Sequence, residues 1–411
     1  MKQRPIRNPE GRTPDPHPSD SMLDGETDAG ARPMRLLQMC TAFRTGGIQR
    51  HVLGISAALR ARGHHVALAG SPGNWLPDGS DEAFLALDLD GVSEQGGAVA
   101  RRMFNALRAA AHLRPFLRRQ GIQLIHAHES APALVAWIAT IGMSTPTLVT
   151  YHGSEPERVA MFARIARLAA RRVITPSQRC AVDLERAGVP SSKLEVIGLG
   201  IEPRPSVDEV TVQRVRARLL GEDGRRLVVT VARLAHQKGI DVLVDVVRRV
   251  CAQRDDIRFV VVGDGPLRED ARRWIAQAGV RRFLTLIGHS ERPGEFLAAA
   301  DLFLLTSRWE GLPITIVEAF QASLPVVATD AGGVRELVDD SVGNVVAIGD
   351  VDALAVQVLA ICADDGLRMR LAANALQRAR ERRFSPPYVH GVLEHTYARV
   401  LGATNLANTR D

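Results

Sequence analysis

The sequence predicts two tandem α/β domains, each built on a doubly wound parallel sheet, facing one another across a cleft. Three observations lead there. Short runs rich in Leu, Val and Ile alternate with longer segments of helical period along nearly the whole chain. Those runs lack in/out alternation, as expected of parallel strands covered on both faces. The alternation breaks once, at the two prolines of Gly200-Ile-Glu-Pro-Arg-Pro205, and then begins again.

Residues 1–33 are rich in Pro, Asp, Gly and Arg and hold no apolar stretch, so they predict a disordered tail without the core of a secretory signal. Strands are predicted at Met34–Met39, His65–Ala69, Gln123–Ala127, Thr147–Tyr151, Arg172–Thr175 and Leu194–Ile197. Between the first two, Ile48, Val52, Ile55 and Leu59 fall on one face of an amphipathic helix. These elements make a first domain over 34–203. After the break, a helix at Val207–Leu220 leads into strands at Leu227–Ala232, Arg258–Val262, Leu284–Ile287, Leu302–Leu305, Pro325–Ala328 and Asn344–Ala347, a second domain over 204–384. A last helix is placed at 385–402, with a flexible tail over 403–411.

Composition narrows the function classes. The chain has 411 residues, 45% of them hydrophobic and 24% charged, which excludes a wholly disordered, collagen-like or disulfide-stapled protein. Cys40, Cys180, Cys251 and Cys362 are far apart and form no metal-ligand spacing, so they read as reduced packing residues. No uncharged apolar run approaches the ~18–20 residues of a membrane span. The expected location is therefore the cytoplasm, with the inner face of a membrane as an alternative. The net charge is +6, and its distribution is uneven: residues 31–205 carry 21 Lys/Arg against 13 Asp/Glu. That bias suits an acidic partner. The segments Ala100–Gln120 and Glu157–Arg172 carry most of it, and an anionic membrane surface competes there with plain solvation of an outer helix face. Aromatic residues amount to 4% and none interleaves with the arginines, which argues against nucleic acid as a partner.

Several strand ends carry residues that suit ligand chemistry. Gly46 and Gly47 lie between the first strand and its helix, where backbone amides favour a phosphate, although a tight turn explains them equally well. Arg233 and Lys238 share the loop after the first strand of the second domain, a planar fork and a mobile point charge together suited to a diphosphate. In Ser307-Arg-Trp-Glu310-Gly311-Leu312-Pro313-Ile-Thr-Ile-Val-Glu318, Glu310 precedes a helix that Pro313 begins, and Glu318 lies between one and two turns into it. Side chains on a helix lean toward its N-terminus, so Glu318 can reach the same ligand, and vicinal hydroxyls of a sugar or ribose are the natural donors to such carboxylates. Gly332 and Gly333 repeat the strand, double glycine, helix plan. His152, beside Gly153 at a strand end, is suited to a sugar hydroxyl or to orienting an acceptor, although a lone His is more often structural. Gly263-Asp-Gly-Pro-Leu-Arg268 is an incomplete dinucleotide fingerprint and reads as a turn. Asp88 and Asp90 have the spacing of a DxD metal motif without other ligands, so no metal is expected.

Taken in order, Gly46-Gly47, His152-Gly153, Arg233 with Lys238-Gly239, Gly263-Asp264-Gly265, the pair Glu310 and Glu318 and then Gly332-Gly333 resemble the family-four retaining glycosyltransferases of the GT-B fold. The resemblance covers essentially the whole chain after the tail. It implies a nucleotide-sugar donor in the second domain and a glycan or lipid-linked acceptor in the first. By the same match Arg233 and Lys238 hold the diphosphate, Glu310 the donor-sugar hydroxyls and Glu318 the ribose. Gly46, Gly47, Gly311 and Leu312 complete the donor site, His152 lies at the reaction centre, and Gln49 with His152 faces the acceptor. The final helix corresponds to the family's crossover onto the first domain. Two positions depart from the pattern: Gln49 stands where Glu is common, and Pro313 stands where many members have Gly, removing a backbone donor. The implied reaction retains anomeric configuration, with no metal or other cofactor. A GT-B-like nucleotide-sugar epimerase and a non-catalytic sugar-nucleotide sensor are the competing readings.

Overall fold

The computed structural model describes residues 32–44, 46–73, 84–93 and 98–408, with the side chains of 403–408 not described. The predicted N-terminal tail lies outside the described residues except for 32 and 33. Thr45 and part of the loop between residues 70 and 97 lie outside them too.

Seven parallel strands form the first sheet: β1 (Arg35–Ala42), β2 (His65–Ser71), β3 (Phe84–Ala86), β4 (Leu124–His128), β5 (Thr147–Thr150), β6 (Arg172–Thr175) and β7 (Leu194–Val196), in the order 3-2-1-4-5-6-7. Around it run α1 (Gly47–Ala61), α2 (Asp90–Ser93), α3 (Val99–Gln120), α4 (Ser130–Thr140), α5 (Pro156–Ala169) and α6 (Gln178–Arg186). Alternate side chains of β1 serve opposite faces: Leu37 and Met39 pack with α3 and α4, whereas Cys40 packs with Val52 of α1. Both faces are thus apolar, which is why the strands read as unbroken hydrophobic runs. β3 escapes the sequence reading because it is three residues long, lies at the sheet edge and buries little.

The second sheet has six parallel strands, β8 (Arg226–Val231), β9 (Ile257–Val262), β10 (Leu284–Gly288), β11 (Leu302–Leu305), β12 (Val326–Thr329) and β13 (Gly343–Val346), in the order 10-9-8-11-12-13. Its helices are α7 (Glu209–Leu220), α8 (Ile240–Cys251), α9 (Arg268–Gln277), α10 (Pro293–Ala299), α11 (Ile314–Gln321), α12 (Val334–Leu337), α13 (Val351–Ala363) and α14 (Asp365–Arg378). In each sheet the strand order reverses beside the first strand, at β1/β4 and at β8/β11. Open α/β sheets bind ligands at such points, outside the carboxyl ends of the strands.

The final helix, α15 (Pro386–Asn408), continues past residue 402, so residues 403–408, expected to be a flexible tail, are helical. It runs beside the first domain. Glu394 accepts from Arg62 at 2.6 Å, and its other oxygen lies 2.8 Å from His64 Nε2. Thr396 donates to Glu195 at 2.7 Å. Tyr397, fully buried, hydrogen-bonds within the first domain to Gln38 of β1 and His126 of β4. Pro313, expected to begin α11, caps it one residue earlier.

Candidate active site

The second domain brings its predicted residues together through laced loops. Arg308 N–H donates to Gln237 O at 2.7 Å, and Gln237 Nε2 donates to Trp309 O at 3.0 Å, so the 233–239 and 306–310 loops move as one. Within them Glu310 is buried, and a single oxygen, Oε1, accepts from Lys238 Nζ at 2.5 Å and from Ser307 Oγ at 2.6 Å. Lys238 therefore pairs with Glu310 in place, while Oε2 accepts no protein hydrogen bond among the described residues. Arg233 is exposed at the end of β8. Behind the loop, Gly332 has φ 57°, and a methyl group there would strike the carbonyl of Glu310. The N–H groups of Gly311 and Leu312 donate to no protein oxygen among the described residues.

Glu318 is buried in the second turn of α11, as its spacing predicts, but its surroundings are not those the sequence suggests. Its Oε1 forms an ion pair with Arg204 Nη2 of the linker at 2.6 Å and accepts from Arg50 Nη1 of α1 at 3.1 Å. The carboxylate thus meets both domains. α11 has neither a side-chain cap nor an acid in its first turn, so its N-terminal amides are open to an anion.

The first domain supplies the facing wall. α1 begins at Gly47 without a side-chain cap or an acidic first turn. A methyl at Gly47 would meet only Ile314, at 3.8 Å, so the glycine leaves room between α1 and the start of α11. Gln49 Nε2 donates to Ala42 O at 2.8 Å, which ties α1 to the end of β1. Gly153, at φ 86°, comes so close to Gly311 that a methyl there would lie 2.8 Å from the carbonyl carbon of Glu310. Ser177 Oγ donates to Gly311 O at 3.1 Å. Glu336 accepts from the N–H groups of Gln178 and Arg179 at 2.9 and 2.8 Å, so a second-domain carboxylate caps a first-domain helix. These contacts hold the backbone of His152 and Gly153 against that of Glu310 and Gly311.

Two features escaped sequence reasoning. His152 is not alone: its Nε2 lies 3.0 Å from His128 Nδ1, its ring is 5.7 Å from that of His51, and His126 stacks next to His128. Burial, first, and the neighbouring imidazoles, second, hold His126 down to about 3 and keep His51 and His128 well below the usual range. Burial alone pushes His152 down to about 4. All four are neutral at pH 7. The alternation His126-Ala127-His128 at a strand's carboxyl end was the available signal, since two polar residues on one face of a buried strand require partners.

The second feature is Glu129, directly after β4. Its backbone (φ 79°, ψ 176°) lies in a region otherwise populated almost solely by glycine. Its carboxylate accepts from Thr41 Oγ1 at 2.8 Å. Burial raises its pKa, while the Thr41 hydrogen bond and then the charge of Arg233 act the other way. Asp90 of the DxD spacing pairs with Arg44 at 2.6 Å, and Asp88 accepts from Gly91 N–H.

Comparison with known proteins gives the arrangement a family. Residues 45–204 match the family described as Glycosyltransferase Family 4, and residues 212–378 match Glycosyl transferases group 1. The phosphatidyl-myo-inositol mannosyltransferase of Mycobacterium leprae (strain TN) is 29% identical over 350 residues, covering 82% of this chain and 88% of that protein. The alpha-D-kanosaminyltransferase of Streptomyces kanamyceticus is 28% identical, covering 70% of this chain and 80% of that one. Among solved structures, Anabaena Alr3699/HepE in complex with UDP superposes with a TM-score of 0.75 at 20% identity, over 89% of this chain and 100% of that one. Sucrose-phosphate synthase from Thermosynechococcus elongatus superposes at 0.76 and 20% identity, over 90% and 100%. These structural likenesses establish the two-domain GT-B fold. With one family match on each domain and relatives aligned across both, the chain belongs to the family-four, group 1 glycosyltransferases.

Proposed function

We propose that this glycosyltransferase takes a sugar from a nucleotide-diphosphate donor, a UDP- or GDP-sugar, and transfers it with retention to a hydroxyl of a polysaccharide, lipopolysaccharide or lipid-linked acceptor. The observation that carries this reading is that Lys238 pairs with buried Glu310, and Glu318 with arginines of the linker and α1, beside strand ends where the His152-Gly153 and Glu310-Gly311 backbones touch and Gly47 faces Ile314. The second domain holds the donor. Arg233, Lys238 and the open N–H groups of Gly311 and Leu312 bind diphosphate and sugar, with Gly47 leaving space for the phosphates and Gly46 beside it making room for the Gln49 side chain. Glu310 Oε2 accepts from sugar hydroxyls, and Glu318 exchanges part of its arginine contact for the ribose hydroxyls. UDP bound to Anabaena Alr3699/HepE supports a nucleotide in this cleft.

In the reaction the bond between the anomeric carbon and the diphosphate oxygen breaks, and the acceptor oxygen bonds to that carbon on the same face. The acceptor proton passes to an oxygen of the departing diphosphate. Arg233 and Lys238 stabilise the charge that develops there without calling on a metal ion, while Glu310 and His152 orient the sugar. Gln49, fastened to Ala42, shapes the acceptor wall beside His152.

The acceptor reading draws on the lipid acceptor that the mycobacterial relative's name states and on α3. There Val99, Met103, Phe104 and Leu107 are exposed beside Arg101 and Arg108, an apolar and cationic stripe suited to an anionic membrane. Among the described residues no helix is long and apolar enough to cross a membrane, so a cytoplasmic enzyme would meet lipid by this face. The test is thermal stabilisation by a panel of UDP-, GDP- and ADP-sugars, followed by NMR of the anomeric centre in the product made with the stabilising donor. A stabilising shift with one sugar-nucleotide, lost in Glu318→Ala, and a retained anomer are expected. An inverted product, or stabilisation by NAD alone, overturns the reading.

A further inference from the structure

The neutral histidines belong to one chain of hydrogen bonds running from the cleft to the C-terminal helix. His152 Nε2 is 3.0 Å from His128 Nδ1. His128 Nε2 is 3.0 Å from Gln38 Oε1. Gln38 Nε2 is 3.0 Å from Tyr397 Oη, which is 2.6 Å from His126 Nδ1. His126 Nε2 ends the chain 2.6 Å from Thr150 Oγ1. Four elements far apart in sequence, β1, β4, the β5 end with its loop, and α15, contribute to it.

Gln38 gives the chain a direction, because its amide has a donor at one end and an acceptor at the other. Its oxygen faces His128, so His128 Nε2 must carry the proton. A neutral imidazole has one N–H, so His128 Nδ1 is a bare lone pair and accepts from His152 Nε2. The same rule leaves His152 Nδ1 bare. That atom has no protein hydrogen bond among the described residues, and the residue is half-buried, its backbone lying against Gly311. At the far end Tyr397 accepts from Gln38 and gives its own proton to His126. Reversal would require the Gln38 amide to turn over and every proton to shift with it, so the bonds act as one unit.

We propose that Tyr397, Gln38 and His128 are positioning residues that hold His152 as its Nε2–H tautomer, so that Nδ1 meets the ligand as a hydrogen-bond acceptor and binds a sugar hydroxyl. The tautomer follows from the hydrogen bonds alone. Its ligand rests on the donor-site reading above. The crossover helix thereby reaches the reaction centre through a side chain, and a donor presenting another acceptor at that point, such as a carboxylate oxygen, is disfavoured. Charge on the ring would remove the lone pair, and among the described residues no carboxylate is hydrogen-bonded to the ring to stabilise such charge: the ionisable side chains in ring contact with it are His51 and His128, with His126 behind them.

The experiment is long-range proton–nitrogen NMR of the full chain labelled with 15N-histidine, with His152 assigned by its loss in His152→Gln. At pH 7 the expected His152 pattern is a protonated Nε2 and a pyridine-like Nδ1. A protonated Nδ1, or a doubly protonated ring, overturns the proposal. Tyr397→Phe, and Gln38→Met as the second variant, are expected to blur that pattern into exchange between tautomers. With Tyr397→Phe, kcat should fall by about 2- to 10-fold, the worth of one neutral hydrogen bond, at unchanged acceptor KM. A folded Tyr397→Phe protein with the wild-type His152 spectrum and kcat also overturns it. Adding UDP-glucose or GDP-mannose, whichever stabilises the protein, should shift the Nδ1 resonance. The expected tautomer without that shift refutes the placement of His152 beside the sugar while leaving the relay intact.

Discussion

The two walls of the cleft solve the same problem with opposite materials. The second-domain wall is ionic and local: Lys238, Ser307 and Glu310 meet within two adjacent loops, and Arg233 lies exposed at the end of β8. At its centre the first-domain wall is neutral and long-range, a chain of imidazoles, an amide and a phenol drawn from three strands and the last helix. The difference teaches where each kind of chemistry belongs. Charges that face a mobile, hydrated ligand can sit on loops, whereas a group that must present one particular lone pair needs partners fixed in the core.

The largest expected effect follows from removing a charge on the ionic wall. Arg233→Ala should leave the fold intact, since the side chain is exposed, and lower kcat at saturating donor by about 100- to 1,000-fold, the usual worth of a group stabilising transition-state charge. Initial rates with the identified donor check it. Unchanged turnover would break the comparison, because the ionic wall would then be binding surface only. A smaller effect is expected behind the Glu310 loop, within the ionic wall. Gly332→Ala places a methyl against the Glu310 carbonyl at positive φ. It should cost about 1–3 kcal/mol in urea unfolding and reduce activity as the Glu310 loop shifts, while Gly349→Ala, at φ 82° with open space around it, should cost stability without activity.

The same contrast explains what was legible in the sequence. The fold could be read because nearly every strand is a short apolar run and nearly every βα loop is marked by Gly or Pro, the single-residue β4–α4 connection at Glu129 being an exception, and only the three-residue edge strand β3 was missed. On the ionic wall Glu310 and Glu318 lie eight residues apart and Arg233 and Lys238 five, so local spacing exposes them. The relay gives no such trace. Gln38 and Tyr397 are 359 positions apart, and each alone looks like packing. Glu318 is an intermediate case: its place on α11 was foreseen, but the arginines that hold it come from α1 and the linker, and only the folded chain brings them in.

A neutral wall should also mark itself by its response to acid. His126 and His128 are buried without charge, and their pKa values lie below those in the unfolded chain. Below about pH 6.5 the unfolded chain therefore binds protons that the folded one refuses, so stability is full above that pH and falls as pH drops toward the folded values. Each such imidazole contributes a slope of up to about 1.4 kcal/mol per pH unit. Urea unfolding at pH 7 and pH 5.5 should show the loss, and His126→Asn should flatten it. A stability that does not change between these pH values would mean that the wall is hydrated and carries charge.

The smallest expected effect lies where the two walls share a charge. Arg50 and Arg204 both pair with Glu318 Oε1, but the Arg50 side chain is 58% exposed and that of Arg204 21%. An exposed pair contributes about 0–1 kcal/mol and weakens with salt. Arg50→Ala should therefore change unfolding stability by less than about 1 kcal/mol, and the difference from wild type should vanish at high salt. Arg204→Ala should cost more and keep its effect in salt, because it strips the closer partner from a buried carboxylate. Equal effects would mean that the contact across the cleft is as firmly held as the linker's. Glu318 would then bind the two domains together as strongly as it binds its own, and donor entry would have to break that tie.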